Sequence, residues 1–134
     1  MKFCKVLLDT SAFLLVAEGI DLLDELNRVL ECEGIELYTL QEVVKELRNI
    51  AGSRASRKSP AATIALDYIF RKNKVKVIPS DVEFHTADEA IIDFTKANND
   101  FIVVTLDRRL KKTLKSMNVK VLTWWYSRRR FSRA

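Results

Sequence analysis

Short apolar runs without helical period alternate along the chain with longer stretches whose apolar positions recur every three or four residues. Phe3, Cys4, Val6, Leu7 and Leu8, interrupted only by Lys5, read as a strand buried on both faces that stops at Asp9. Comparable runs rich in β-branched and aromatic residues recur at 35–38, 75–78, 101–104 and 119–123. Between them, Leu22, Leu23, Leu26, Val29 and Leu30 keep the spacing of an amphipathic helix, with Gly34 placed to cap its end. Leu40, Val43, Val44, Leu47 and Ile50 repeat the pattern, and so does the stretch 87–97. Ser59 and Pro60 predict the N-cap and first position of a helix reaching about Lys74. The polar, basic stretch 49–59 predicts a surface loop. Strand and helix alternating in this way call for a parallel sheet covered on both faces, because right-handed crossovers must carry the chain back between parallel strands. The fold class is α/β.

With 134 residues, 48% of them hydrophobic and 31% charged, the chain has the material for one domain around one core. Its three glycines, Gly19, Gly34 and Gly52, allow neither a P-loop nor a G-x-G-x-x-G turn to be written. A single histidine, His85, excludes mechanisms that need several. No apolar run approaches the ~18 residues needed to cross a bilayer, and Asp9 breaks the apolar N-terminus before a signal-peptide core could form. A cytoplasmic protein without membrane association is expected. Cys4 and Cys32 have neither a C-x-x-C pattern nor partner histidines, which predicts two inert buried thiols in a reducing compartment.

The net charge of +5 is unevenly placed. All of the excess lies in residues 119–134, with five bases and no acid, while 1–118 balance. Residues 9–46 hold ten acids against two bases, and 108–120 hold six bases and no acid. Solvated helix faces are the ordinary source of such runs. An acidic focus flanked by basic segments is also what a site for a polyanion requires.

In an open parallel sheet, ligands bind outside the carboxyl ends of the strands. Asp9 follows the first strand directly, and Asp107 follows the 101–104 run after only Thr105 and Leu106, so both fall on that edge. Each would also serve as an ordinary N-cap for the helix behind it. Two more acids emerge from helical phase at about 100° per residue. Glu46 borders the apolar arc of Val43, Leu47 and Ile50 while Lys45 points away. Asp88 falls between Ile91 and Ile92, whereas Glu89 and Asp93 point outward. A carboxylate among apolar neighbours is costly unless it is paired or binds a metal, which singles out Asp88. Several carboxylates without histidine or thiolate make a hard oxygen site, the preference of Mg²⁺ or Mn²⁺, one or two ions of which can bridge to phosphate and activate water. That combination implies phosphoryl-transfer chemistry.

These residues resemble the PIN-domain nucleases, through Val6-Leu7-Leu8-Asp9-Thr10-Ser11, Glu42-Val43-Val44-Lys45-Glu46-Leu47, Thr86-Ala87-Asp88-Glu89-Ala90-Ile91 and Val103-Val104-Thr105-Leu106-Asp107-Arg108-Arg109-Leu110. The resemblance covers nearly the whole chain, with Asp88 79 residues after Asp9 and Asp107 another 19 on. It implies a three-layer α/β/α fold whose five-stranded parallel sheet has the order 3-2-1-4-5. It also implies that Asp9, Glu46, Asp88 and Asp107 are the acidic quartet for divalent metal, with Thr10, Ser11 and Thr105 as the small hydroxyl residues beside it. The 19-residue interval and the basic end look more like the small-subunit rRNA-processing branch than the VapC toxins. Leu106 stands where that branch usually carries Asn.

The expected activity is that of a metal-dependent endoribonuclease, with RNA, rRNA or its precursor, as partner. The alternatives are a VapC-type toxin, and a PIN-like module that binds RNA or protein and cuts nothing. A second copy of the chain, an antitoxin and a ribosome-assembly factor stay open as further partners. A haloacid-dehalogenase-type phosphatase is excluded, because Ser11 stands where its second aspartate is needed. The basic residues expected to hold RNA are Arg54, Arg57, Lys58, Arg108, Arg109, Lys111, Lys112, Arg128, Arg129 and Arg130. The domain is expected to span 1–126, followed by a basic C-terminal tail at 127–134 that is either a solubilising end or an RNA clamp.

Overall fold

Val6, Leu7 and Leu8 of β1 (Phe3–Leu8) have no solvent exposure, as a central strand covered on both faces requires. In the computed structural model, which describes residues 2–80, 83 and 86–134, β1 is followed by α1 (Thr10–Ala17), α2 (Leu22–Val29), β2 (Gly34–Leu40), α3 (Gln41–Ala51) and α4 (Ser59–Phe70). Next come β3 (Lys76–Ile78), α5 (Ala87–Ala97), β4 (Phe101–Val104), α6 (Arg108–Ser116), β5 (Lys120–Trp125) and β6 (Arg130–Arg133). His85 lies outside the described residues.

The sheet order is β3-β2-β1-β4-β5-β6. β1 to β5 pair parallel with one another, in the expected order. The helices that connect these strands cover both faces of the sheet, giving the three-layer α/β/α fold.

The sixth strand corrects the expectation of a five-stranded, all-parallel sheet with a tail beyond it. β6 runs antiparallel to β5, pairing Trp124 with Phe131 and Trp125 with Arg130. The segment has one apolar residue among arginines and a serine, so it reads as a tail. That one residue, Phe131, is fully buried and meets Trp124 edge to face at 5.0 Å between ring centroids.

Three local expectations also change. α2 ends at Leu30 in extended conformation, so Gly34 opens β2 instead of capping the helix. Its lack of a side chain has another reason, since a Cβ there would come within 2.6 Å of the Phe3 ring. The N-cap position of α4 falls on Lys58, one residue early, and the helix stops at Phe70. The Ser59 hydroxyl instead donates to the Ala51 carbonyl at 2.7 Å, tying α4 to the end of α3. Cys4 and Cys32 form a disulfide, not two free thiols. They are 28 residues apart in sequence, but the parallel register sets Phe3 opposite Gly34, which brings the residues just before β2 alongside the start of β1.

Candidate active site

The carboxyl ends of β1 and β4 are neighbours, with Leu8 registered on Val104, so the residues that follow them meet. Both aspartates are helix N-caps, as their positions predict. Asp9 Oδ1 accepts from the Ala12 amide at 3.0 Å, and Asp107 Oδ1 accepts from the Leu110 amide at 2.9 Å. Capping uses only part of each carboxylate, so it does not exclude a second role.

Asp9 is buried and held from three sides. The Ser11 hydroxyl donates to Oδ1 at 2.7 Å, and the Thr105 hydroxyl donates to Oδ2 at 2.5 Å. Those hydroxyls also accept from the loop after β4: Ser11 Oγ from the Leu106 amide at 2.9 Å, and Thr105 Oγ1 from the Asp107 amide at 3.1 Å. Two small hydroxyls thus lock the ends of two strands together around one carboxylate. The Leu106 side chain packs against the core, and its amide does the linking. Burial, with a smaller contribution from the nearby Asp88 charge, raises the Asp9 pKa to about 6 against the lowering effect of these hydrogen bonds.

Asp9, Thr10, Ser11, Glu46, Asp88 and Asp107 line one cavity of about 170 Å³, together with Leu14, Ile50, Ala87 and Lys58. All four acids expected from sequence therefore reach the same place, from β1, α3, α5 and the end of β4. Asp88 stands in the first turn of α5, half-buried, while Glu89 and Asp93 are exposed, as the helical phase predicts. Its pKa is raised, first by burial and then by the charges of Asp107 and Glu46, with Arg109 opposing them. Larger concavities of about 530 and 670 Å³ lie elsewhere, but neither gathers these acids.

Among the described residues, no group of three or more His, Cys, Asp or Glu stands in a geometry that could hold a metal ion. The chemistry of the donors nevertheless suits a hard divalent cation: carboxylates that repel one another, hydroxyls, and no softer ligand. The Thr10 hydroxyl is buried in the same wall without a hydrogen-bond partner among the described residues, an acceptor left free for something the cavity admits.

The basic residues are spread more widely. Lys58 enters the cavity wall and Arg109 acts on Asp88. Arg54, Arg57, Arg108 and Lys112 are exposed and Lys111 is half-buried, on the α3–α4 loop and on α6. Arg128, Arg129 and Arg130 are exposed around the β5–β6 turn. Sequence reasoning missed Glu42, a buried carboxylate on α3 whose Oε1 has no hydrogen-bond partner among the described residues. It lies one helical turn before Glu46, but it lines a different concavity. No periodicity signal marks it, because its burial comes from packing around the start of α3.

Comparison with known proteins bears on the fold and the family. Residues 6–126 match the family described as "PIN like domain", and the chain belongs to it. Ribonuclease VapC4 of Methanocaldococcus jannaschii is 31% identical over 98 residues, covering 73% of this chain and 72% of that protein. The solved PIN domain endonuclease Utp24 shares the fold with a TM-score of 0.75 at 20% identity, over 96% of this chain and 90% of that one. A domain of a functionally unknown protein from M. jannaschii superimposes with a TM-score of 0.61 at 18% identity, over 90% of this chain and 89% of that one.

Proposed function

We propose that this chain is a divalent-metal-dependent endoribonuclease in which Asp9, Glu46, Asp88 and Asp107 hold Mg²⁺ or Mn²⁺, as one or two ions. The observation that carries the reading is the convergence of four acids from four elements on one cavity, one of them fastened by Ser11 and Thr105. When bound, such an ion supplies Lewis acidity toward the phosphate and an activated water. The chain's own residues would do the rest. Ser11, Thr105 and the Ala12 amide keep the Asp9 carboxylate in one orientation, so little rearrangement is needed at the moment of reaction. Lys58 would neutralise a phosphate entering the cavity, and Arg109 would offset the charge of Asp88.

In-line attack of water at phosphorus leaves 5′-phosphate and 3′-hydroxyl ends. The substrate we favour is rRNA or its precursor. The second reading, a VapC-type toxin with a protein antitoxin, draws on the 31% identity to a protein named as a ribonuclease of that type. Incubating the purified protein with single-stranded RNA and Mn²⁺ tests the activity, and sequencing the RNA crosslinked to it in cells separates the two readings. Cleavage is expected to stop in EDTA and to return with Mn²⁺. Undiminished cleavage in EDTA would sink the mechanism, and metal binding without any cleavage would favour a non-catalytic module.

A further inference from the structure

The β5–β6 turn is built in a way that neither the fold nor the acidic cavity requires. β5 is registered on β4 only as far as Leu122, opposite Val104, and continues through Thr123, Trp124 and Trp125. At about 3.3 Å per residue this carries the hairpin roughly 10 Å past the edge where the acids converge. Strand alternation sends Trp124 inward onto Phe131 and leaves Trp125 on the outer side, 45% exposed.

The Arg128 guanidinium lies over the Trp125 ring, 4.6 Å from its centroid. The hairpin is also held in place, since the Tyr126 hydroxyl donates to Glu18 at the end of α1 at 2.8 Å. Arg129 adopts left-handed backbone, with φ 49°. The other described non-glycine residues with positive φ are Asn73 and Asn118, of the type that tolerates it best. An arginine there is a conformational burden on the turn that a glycine would relieve.

We infer that this hairpin is a platform for single-stranded RNA, on which an unpaired base stacks against the Trp125–Arg128 surface while Arg129 and Arg130 hold the adjoining phosphates. Guanidinium planes and indole rings both stack on bases, and Arg128, Arg129 and Arg130 leave the hairpin basic with the Glu18 carboxylate at its Tyr126 end. The platform rests on the nuclease reading and adds to it a second contact surface, where an unpaired base is held beside the cavity.

Binding without cutting tests it, with the Asp9→Asn chain, a short oligouridylate and a duplex RNA of equal length, titrated across a salt series. Trp125→Ala is expected to weaken oligouridylate binding about tenfold and duplex binding little, with Trp125→Phe restoring most of the loss. Arg129→Gly is expected to keep or raise the melting temperature while flattening the slope of log K against log salt by about 0.7, the contribution of one single-strand phosphate contact. Unchanged oligouridylate affinity in Trp125→Ala, or equal loss on the duplex, would overturn the platform alone. Absence of RNA binding by the parent chain would overturn it together with the nuclease reading.

Discussion

At its amino end β1 is held by a covalent bond, Cys4 to Cys32, and Phe3 lies close over Gly34 in the neighbouring strand. Five residues on, at its carboxyl end, the same strand delivers Asp9 into a buried place beside Asp88, where its pKa rises to about 6. The first end adds stability and the second gives some up. A rise from 3.8 to about 6 corresponds to roughly 3 kcal/mol between the protonated and ionised forms at neutral pH. The contrast teaches that a buried gathering of carboxylates is an electrostatic liability, which the fold sustains with packing and cross-linking elsewhere.

The largest effect that would break this contrast concerns Asp9 itself. Asp9→Asn keeps the cap and the shape but removes the charge, so cleavage in Mn²⁺ should fall more than about a hundredfold. Its stability should move the other way. A carboxyl whose folded pKa is raised favours the folded state at low pH, and that advantage is lost as pH rises from about 4 through about 6. Thermal melts of the metal-free protein should therefore show the parent weakening across that window while Asp9→Asn does not, with a gap of up to about 3 kcal/mol at pH 8. Added Mn²⁺ should raise the parent's melting temperature and leave the variant's unchanged. Equal melting curves at pH 8 would refute the electrostatic account.

Helical phase sharpens the comparison within α5. Asp88→Asn should lose activity by a similar order, since it faces the cavity, whereas Glu89→Gln and Asp93→Asn, both exposed, should retain at least half. Rates of all three at equal protein and saturating Mn²⁺ decide it, and greater loss at Asp93 than at Asp88 would mean that α5 presents another face.

At the opposite end of β1, replacing both Cys4 and Cys32 by Ser opens a loop of 28 residues and should reduce stability by about 3–4 kcal/mol, read by urea unfolding. Activity at low temperature should persist, because the bond and the cavity sit at opposite ends of the strand. The smallest effect is expected at Gly34→Ala. Its Cβ would meet the Phe3 ring, but that ring is 57% exposed and free to swing, so the loss should stay below about 1 kcal/mol.

Much of this was legible in residue order because it depends on local periodicity. The buried runs of β1 and β4 and the helical phases that separate Asp88 from Asp93 follow from side-chain spacing along one element, which a sequence states directly. The β4 and α5 boundaries also fall where the pattern places them. Boundaries near Gly34 and Ser59 do not, since the same residue types serve caps, strands and close approaches, and only the neighbouring chain decides which.

What tertiary structure alone decided are the contacts between elements distant in sequence. The Cys4–Cys32 bond depends on strand register. The burial of Glu42 depends on what packs around α3, and the role of Phe131 depends on a return turn that puts one aromatic of a basic segment under Trp124. The sequence by itself named the four acids and the edge they share, because each sits at a strand end or on a helix face. It did not tell how Asp9 is held. Ser11 and Thr105 are 94 residues apart, and their hydroxyls meet on one carboxylate only because β1 and β4 pair in parallel, a register that arises from the packing of the whole sheet.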